Sequence, residues 1–222
     1  MVCTRMKRAV IFILACLLLV TGVPVGNCTA GTEEVNAAQV SSQAKKAIKA
    51  YQKLLGKSKM NYFDLKLDTN KLSFSVADIN NDGVPELFVN VAKCTNVSHA
   101  SGYEYVYGFD NGKVKWLCGL DKIKCYYPKG GIVEVDYYGM GNAAQYYKIQ
   151  NGKSEFIAGI EFNYGNPYKK KPEYNWKHKQ VTKAKFNKLL KKYGGKKVTV
   201  TESYWHKNTY ANRKNMLNLV KW

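Results

Sequence analysis

Acidic residues are scarce in this chain: 16 Asp and Glu stand against 35 Lys and Arg, for a formal charge of +19 over 222 residues. Histidine is scarcer still. His99, His178 and His206 are the three present, and none stands in an H-E-x-x-H or other ligand spacing, which removes a zinc hydrolase of that type. The chain has no G-x-S-x-G, no P-loop and no G-x-G-x-x-G, so a nucleophile elbow and phosphate-cradling loops are also excluded. Gly139-Met140-Gly141 is a turn and not a phosphate cradle. There is no C-x-x-C metal spacing, and Cys94, Cys118 and Cys125, the cysteines beyond the amino-terminal region, are too few for a disulfide framework. No nucleic-acid-binding motif is present. The longest apolar run, Ala9 to Val20, is twelve residues, too short for a comfortable membrane span.

That short run has a meaning of its own. Arg5, Lys7 and Arg8 precede it, and Gly22 and Pro24 follow, which is the order of a signal peptide. Small-x-small sites end at Ala30 and at Ala37. Asn27 before Cys28 argues against a lipid anchor. The expectation is a signal peptide over residues 1–30 and one secreted domain over residues 31–222, with no transmembrane anchor. Removing residues 1–30 leaves 32 basic against 16 acidic residues. Outside the cell, so basic a surface meets polyanions: teichoic acid, acidic polysaccharide, mucin or anionic membrane. Solubility alone is the plainer use of the same charge.

The densest acidic stretch is Asp78-Ile79-Asn80-Asn81-Asp82-Gly83-Val84-Pro85-Glu86. It puts oxygen-bearing side chains at loop positions 1, 3, 5 and 9, with Gly at 6. Hard cations such as Ca²⁺ take six to eight oxygens at about 2.3–2.6 Å, and the Gly permits the sharp turn that wraps the chain round an ion. The opening D-x-N-x-D-G reads like an EF-hand, but position 12 is Val89 where an EF-hand needs Glu. The flanks, Phe74-Ser75-Val76-Ala77 and Leu87-Phe88-Val89-Asn90-Val91, read as strands. From Phe74 to Ala92 the chain resembles the calcium hairpin of FG-GAP repeats, and the D-I-N-x-D-G-x-P-E-L segment of small exported proteins of Gram-positive bacteria. The resemblance implies side-chain ligands from Asp78, Asn80, Asp82 and Glu86, a carbonyl from Val84, and calcium as the cofactor. Asn-Asp-Gly is also sound turn chemistry with no ion. Three carboxylates in nine residues would then repel one another unshielded.

Around this loop the pattern is α+β. Val40 to Leu55 carries an apolar stripe of Ala44, Ala47, Ile48, Tyr51, Leu54 and Leu55, with Ser41 or Ser42 as cap. Leu72 to Phe162 reads as all-β, with hairpin turns at Asn111-Gly112 and Asn151-Gly152 inside a faint forty-residue repeat. These features predict an antiparallel β-meander, one curled sheet or two packed sheets, with one amino-terminal and two carboxy-terminal helices. Residues 164–179 read as a loop and Val198 to Tyr204 as a strand. Thr182 caps the second helix, whose outer face carries Lys185, Lys188 and Lys192 beside the loop lysines Lys169, Lys170 and Lys171. These six are the expected contacts for an anionic cell-wall polymer or acidic glycan. Cys118 and Cys125 flank a possible turn and are expected to pair as a disulfide in an oxidising space.

Two further sets of residues bear on function. Glu134 and Asp136 share one face of a strand, and paired carboxylates run glycoside hydrolysis; alternating acids are also a strand's wet face. The chain has 17 Tyr and 4 Trp, and aromatics stack on sugar rings as readily as they fill cores. The reading is a secreted calcium-binding domain that engages polyanionic or glycan surfaces at the cell envelope, with a glycosidase-like hydrolase as the rival.

Overall fold

The computed structural model describes residues 40–62, 65–94, 103–119, 121–138, 142–161 and 171–222. Its first helix, α1 (Ser42–Leu55), starts where Ser41 Oγ accepts the Ala44 N–H at 3.0 Å. The stripe Ala44, Ala47, Ile48, Tyr51 and Leu55 is fully buried, as the 3.6-residue period requires of a helix lying on a sheet. A small hairpin follows, β1 (Lys59–Tyr62) with β2 (Leu65–Asp68).

The remaining strands form two mostly antiparallel sheets. The first is built from β3 (Ser73–Ala77), β4 (Glu86–Asn90), β5 (Glu104–Asp110) and β6 (Lys113–Cys118). The second runs through β7 (Lys122–Tyr127), β8 (Ile132–Tyr138), β9 (Asn142–Gln150), β10 (Lys153–Glu161), β11 (Glu173–Trp176) and β12 (Lys179–Val181). Helix α2 (Lys183–Gly194) is capped by Thr182, whose Oγ1 accepts the Lys185 N–H at 3.2 Å. The strand β13 (Val198–Thr199) then joins the β7 edge of the second sheet. The edge of β3 takes β14 (His206–Lys207) antiparallel and, after helix α3 (Tyr210–Lys214), β15 (Val220–Lys221) parallel. The fold is therefore α+β, with three α-helices among the described residues and two packed, open sheets.

Side-chain alternation sorts the core into three layers. Phe74, Val76, Leu87, Val89, Tyr105 and Tyr107 point from the first sheet onto α1, where Met216 also packs. The opposite faces of both sheets meet through Ala77, Ile79, Phe88, Val106, Leu117 and Cys118 against Ile123, Tyr126, Val133, Val135 and Ile149. The outer face of the second sheet, with Tyr127, Ile132, Tyr146 and Trp176, is sealed by Phe186 of α2.

Both Asn-Gly turns are where the sequence puts them, with Asn111 and Gly112 at φ 50° and 78° and Asn151 and Gly152 at 52° and 62°. Three expectations are corrected. Residues 173–181 form a hairpin, turned by Lys177 and His178 at positive φ, where a loop was expected. Only Val198–Thr199 pairs as a strand, because the chain enters a 3-10 turn at Glu202–Tyr204. The third concerns Cys118 and Cys125, which are free thiols. The chain changes sheets between them, so Cys118 lies in the inter-sheet core and Cys125 in the layer under α2. Burial raises both, the Cys125 thiol to about 12 with the Glu134 charge adding to the effect.

Candidate functional site

The acidic segment is the connection between β3 and β4, closing beyond the last pair Ala77–Glu86. Asn81 and Gly83 adopt φ 54° and 76°, which curls the chain back on itself. Three contacts from outside fix the curl. Ser41 Oγ donates to the Gly83 carbonyl at 3.2 Å, Tyr51 Oη donates to the Pro85 carbonyl at 3.0 Å, and the Asp78 N–H donates to the Lys221 carbonyl at 2.9 Å. Ile79, wholly buried between the sheets, anchors the loop from beneath. The amino-terminal helix and the last strand thus both serve as supports for this loop.

Inside the curl the side chains point inward. Asp78 accepts the N–H groups of Asp82 (3.2 Å) and Gly83 (2.8 Å), and Asp82 accepts that of Val84 (2.8 Å). Asn80 Oδ1 accepts the Asp82 N–H at 3.0 Å, while its amide donates to Asp82 at 2.9 Å and to Glu86 at 3.4 Å. Glu86, 3% exposed, takes the Ile79 N–H at 3.1 Å. Loss of hydration drives the Glu86 carboxyl well above its ordinary range, and the Asp82 and Asp78 charges push it the same way. Asp78 is raised by burial too, against the opposing pull of the Gly83 N–H.

No lysine or arginine forms a salt bridge with these three acids among the described residues. Nor are three His, Cys, Asp or Glu side chains there gathered at metal-cluster distance. The carboxylates instead rest on the loop's own N–H groups. The donor set is all oxygen, carries three carboxylates and lies on one curled segment, so its chemistry fits a hard cation better than a soft one. Ligation by Asp78, Asn80, Asp82 and Glu86, with the Val84 carbonyl, requires their oxygens to turn from those N–H groups to a common centre.

A cavity of about 480 Å³ opens beside the loop. Asn80 and Asp82 form one wall, and Trp176 and Tyr193 form another. Those two rings stack at 5.9 Å and 25°. Lys129, Lys148 and Lys177 line it as well, from three separate turns and strands. Sequence reasoning missed this cavity, since its residues come from five distant segments with no shared period.

The expected lysine face is only partly in view. Lys171, Lys185, Lys188 and Lys192 are exposed, and the three on α2 fall on the side opposite buried Phe186; Lys169 and Lys170 lie outside the described residues. Of the strand tyrosines, Tyr105, Tyr107, Tyr126, Tyr127 and Tyr146 are core residues and offer no open platform. Glu134 accepts from Cys125 Sγ (3.2 Å) and Tyr127 Oη (3.3 Å), and Asp136 pairs with Lys124 Nζ at 3.1 Å; neither carboxylate lines the cavity. No helix among the described residues is long and apolar enough to cross a membrane. Compared with protein-family models, curated proteins and solved structures, the chain matches none.

Proposed function

We propose that this chain is an exported calcium-binding domain whose basic surface engages anionic polymer or acidic glycan at the cell envelope. The observation that carries the reading is Glu86, a buried carboxyl with no salt bridge to Lys or Arg among the described residues, held against Asp78 and Asp82. Burying an acid without a countercharge costs free energy, and a divalent cation on these oxygens offsets that cost. Calcium then holds a loop on which α1, β3, β4 and β15 all converge, a structural role. The exposed Lys185, Lys188 and Lys192 support the polyanion part of the reading, and the charged-then-apolar amino end supports export.

The test is thermal melting. Ca²⁺ in hundredfold excess over Kd adds about 2.7 kcal/mol when it binds only the folded state. Mg²⁺ does less, because it demands tighter octahedral geometry. Asp78→Ala and Asp82→Ala remove the response. A melting temperature indifferent to both Ca²⁺ and chelator refutes the calcium reading. Retention on heparin or teichoic acid that survives Lys185→Glu, Lys188→Glu and Lys192→Glu refutes the assignment to α2.

A further inference from the structure

We infer that the cavity between the acidic loop and the Trp176–Tyr193 wall is a binding site for an acidic saccharide, and that loading the loop with calcium strengthens it. The second half rests on the calcium reading above; the first does not. At about 480 Å³ the cavity lies within the roughly 300–1,000 Å³ typical of small-molecule sites. Its lining is mixed in a way that suits a sugar carrying a negative charge. The half-exposed Tyr193 supplies apolar ring surface for the C–H face of a pyranose, backed by the buried Trp176 stacked on it. Gln150 and Asn151 present amides that both donate and accept, as ring hydroxyls require. Lys129, Lys148 and Lys177 supply positive charge for a carboxylate or acidic substituent.

The wall that opposes this choice is Asp82, joined by Glu155 on the other side. Three lysines against two acids leave little net attraction for an anion. A divalent cation on Asp78, Asp82 and Glu86 changes that balance by two charges at the loop whose Asn80 and Asp82 line the cavity. The mechanical seam is also tight. Gly131, at φ 60° on the cavity floor, packs so closely that an added Cβ would stand 2.8 Å from Asn80 Cβ. Movement of Asn80 toward an ion therefore bears on the floor directly. Linkage requires that saccharide and calcium raise each other's affinity by the same factor.

The experiment is titration of the secreted protein with sialyllactose and trigalacturonate, with lactose and inorganic phosphate as controls, read by calorimetry and by the indole N–H of Trp176 in NMR. With calcium present, at least one acidic saccharide binds at one site and shifts the Trp176 signal. Lactose and phosphate bind more weakly. Lys148→Glu and Lys177→Glu each weaken binding about tenfold, the worth of one charge-assisted hydrogen bond. Tyr193→Ala also weakens it, whereas Lys185→Glu and Lys188→Glu on the far side of α2 leave it unchanged. Chelator lowers the affinity. Binding that survives the cavity variants but falls with the α2 variants overturns the site, as does phosphate binding as tightly as the saccharides. Silence from both acidic saccharides while Ca²⁺ still raises the melting temperature overturns the site and leaves the calcium reading standing. Saccharide binding by a protein indifferent to Ca²⁺ sustains the site and overturns the linkage.

Discussion

Glu104 lets the packing of the two sheets be measured as a function of pH. It sits on β5, 5% exposed, facing the second sheet. Its carboxylate takes the Ile123 N–H at 2.8 Å, at the point where the chain has just crossed to β7, and the Asn90 amide at 2.9 Å. Burial dominates these bonds and raises the carboxyl from 4.5 to about 7; the Ile123 N–H, Lys122 and Asn90 pull the other way. The folded state therefore binds this proton more tightly than the unfolded chain does. The sign follows from linkage: stability falls where the native state holds more protons. It is undiminished below 4.5, declines as pH rises towards 7, and is flat above. At about 1.36 kcal/mol per decade, the loss is about 3 kcal/mol.

Glu104→Gln abolishes that decline. The amide puts an N–H₂ where a donor already points. Asn90 cannot simply flip to receive it, because its Oδ1 accepts the Ala92 N–H at 3.0 Å. One hydrogen bond is lost at every pH, about 1 kcal/mol. The variant is thus less stable than the parent in acid and more stable by about 2 kcal/mol above neutrality, and the two curves cross. Urea unfolding across this range measures it, with chelator present so that the proposed loop cation contributes to neither curve. Curves that stay parallel at all pH values would show that Glu104 ionises without cost, and the reasoning from its burial would be wrong.

Other substitutions test the remaining layers. Phe186→Ala opens the seal over the second sheet, where the ring meets Tyr146 at 5.4 Å, Tyr174 at 5.4 Å and Trp176 at 5.8 Å edge-on; it costs about 3–5 kcal/mol in chemical denaturation. Asn208, 4% exposed, donates to the Leu55 and Thr69 carbonyls at 2.9 and 2.8 Å. Asn208→Ala strands the Leu55 carbonyl and leaves that of Thr69 with the Leu72 N–H alone, for a loss of about 1–3 kcal/mol, whereas an equal melting temperature would show that water replaces the amide. Cys118 and Cys125 react with a thiol reagent only after denaturation, and reductant leaves the melting temperature unchanged; recovery of a Cys118–Cys125 peptide pair from the native protein would contradict their separation into different layers.

The sequence made some of this legible because some elements are decided locally. Ser41 and Thr182 cap their helices with their own side chains, and Asn111-Gly112 and Asn151-Gly152 turn their hairpins with residues suited to positive φ. The hairpin at Lys177-His178 was hidden because Lys does not favour positive φ and His, though it adopts it more often than most residues, is no turn signal by itself. It is held by β10 on one side, by pairs such as Ala158–Trp176, and by Trp176 packing on Phe186. The strands β13, β14 and β15 are two residues each and exist through edge pairing, which no local pattern encodes. The cysteine pairing failed for a related reason. Closeness along the chain implies closeness in space only if the strands belong to one sheet, and here they do not. The cavity is wholly a product of tertiary structure.

The β3–β4 connection is best weighed against the other hairpins of the same molecule. This chain closes β5–β6 and β9–β10 with two neutral residues each, in geometry that matches the strand twist. It therefore has a simple means of joining antiparallel strands. Between β3 and β4 it uses Asp78 to Pro85 instead, and spends there and at Glu86 three of its 16 acidic residues. Two of the three are buried and raised by that burial. Nothing in the joining of two strands requires this. A plain turn does not need Ser41, Tyr51 and Lys221 to converge on it from three distant parts of the chain either. A segment that is longer, more charged, more buried and more heavily braced than its neighbours carries a cost they do not, and the proposed cation would offset its charge and burial together.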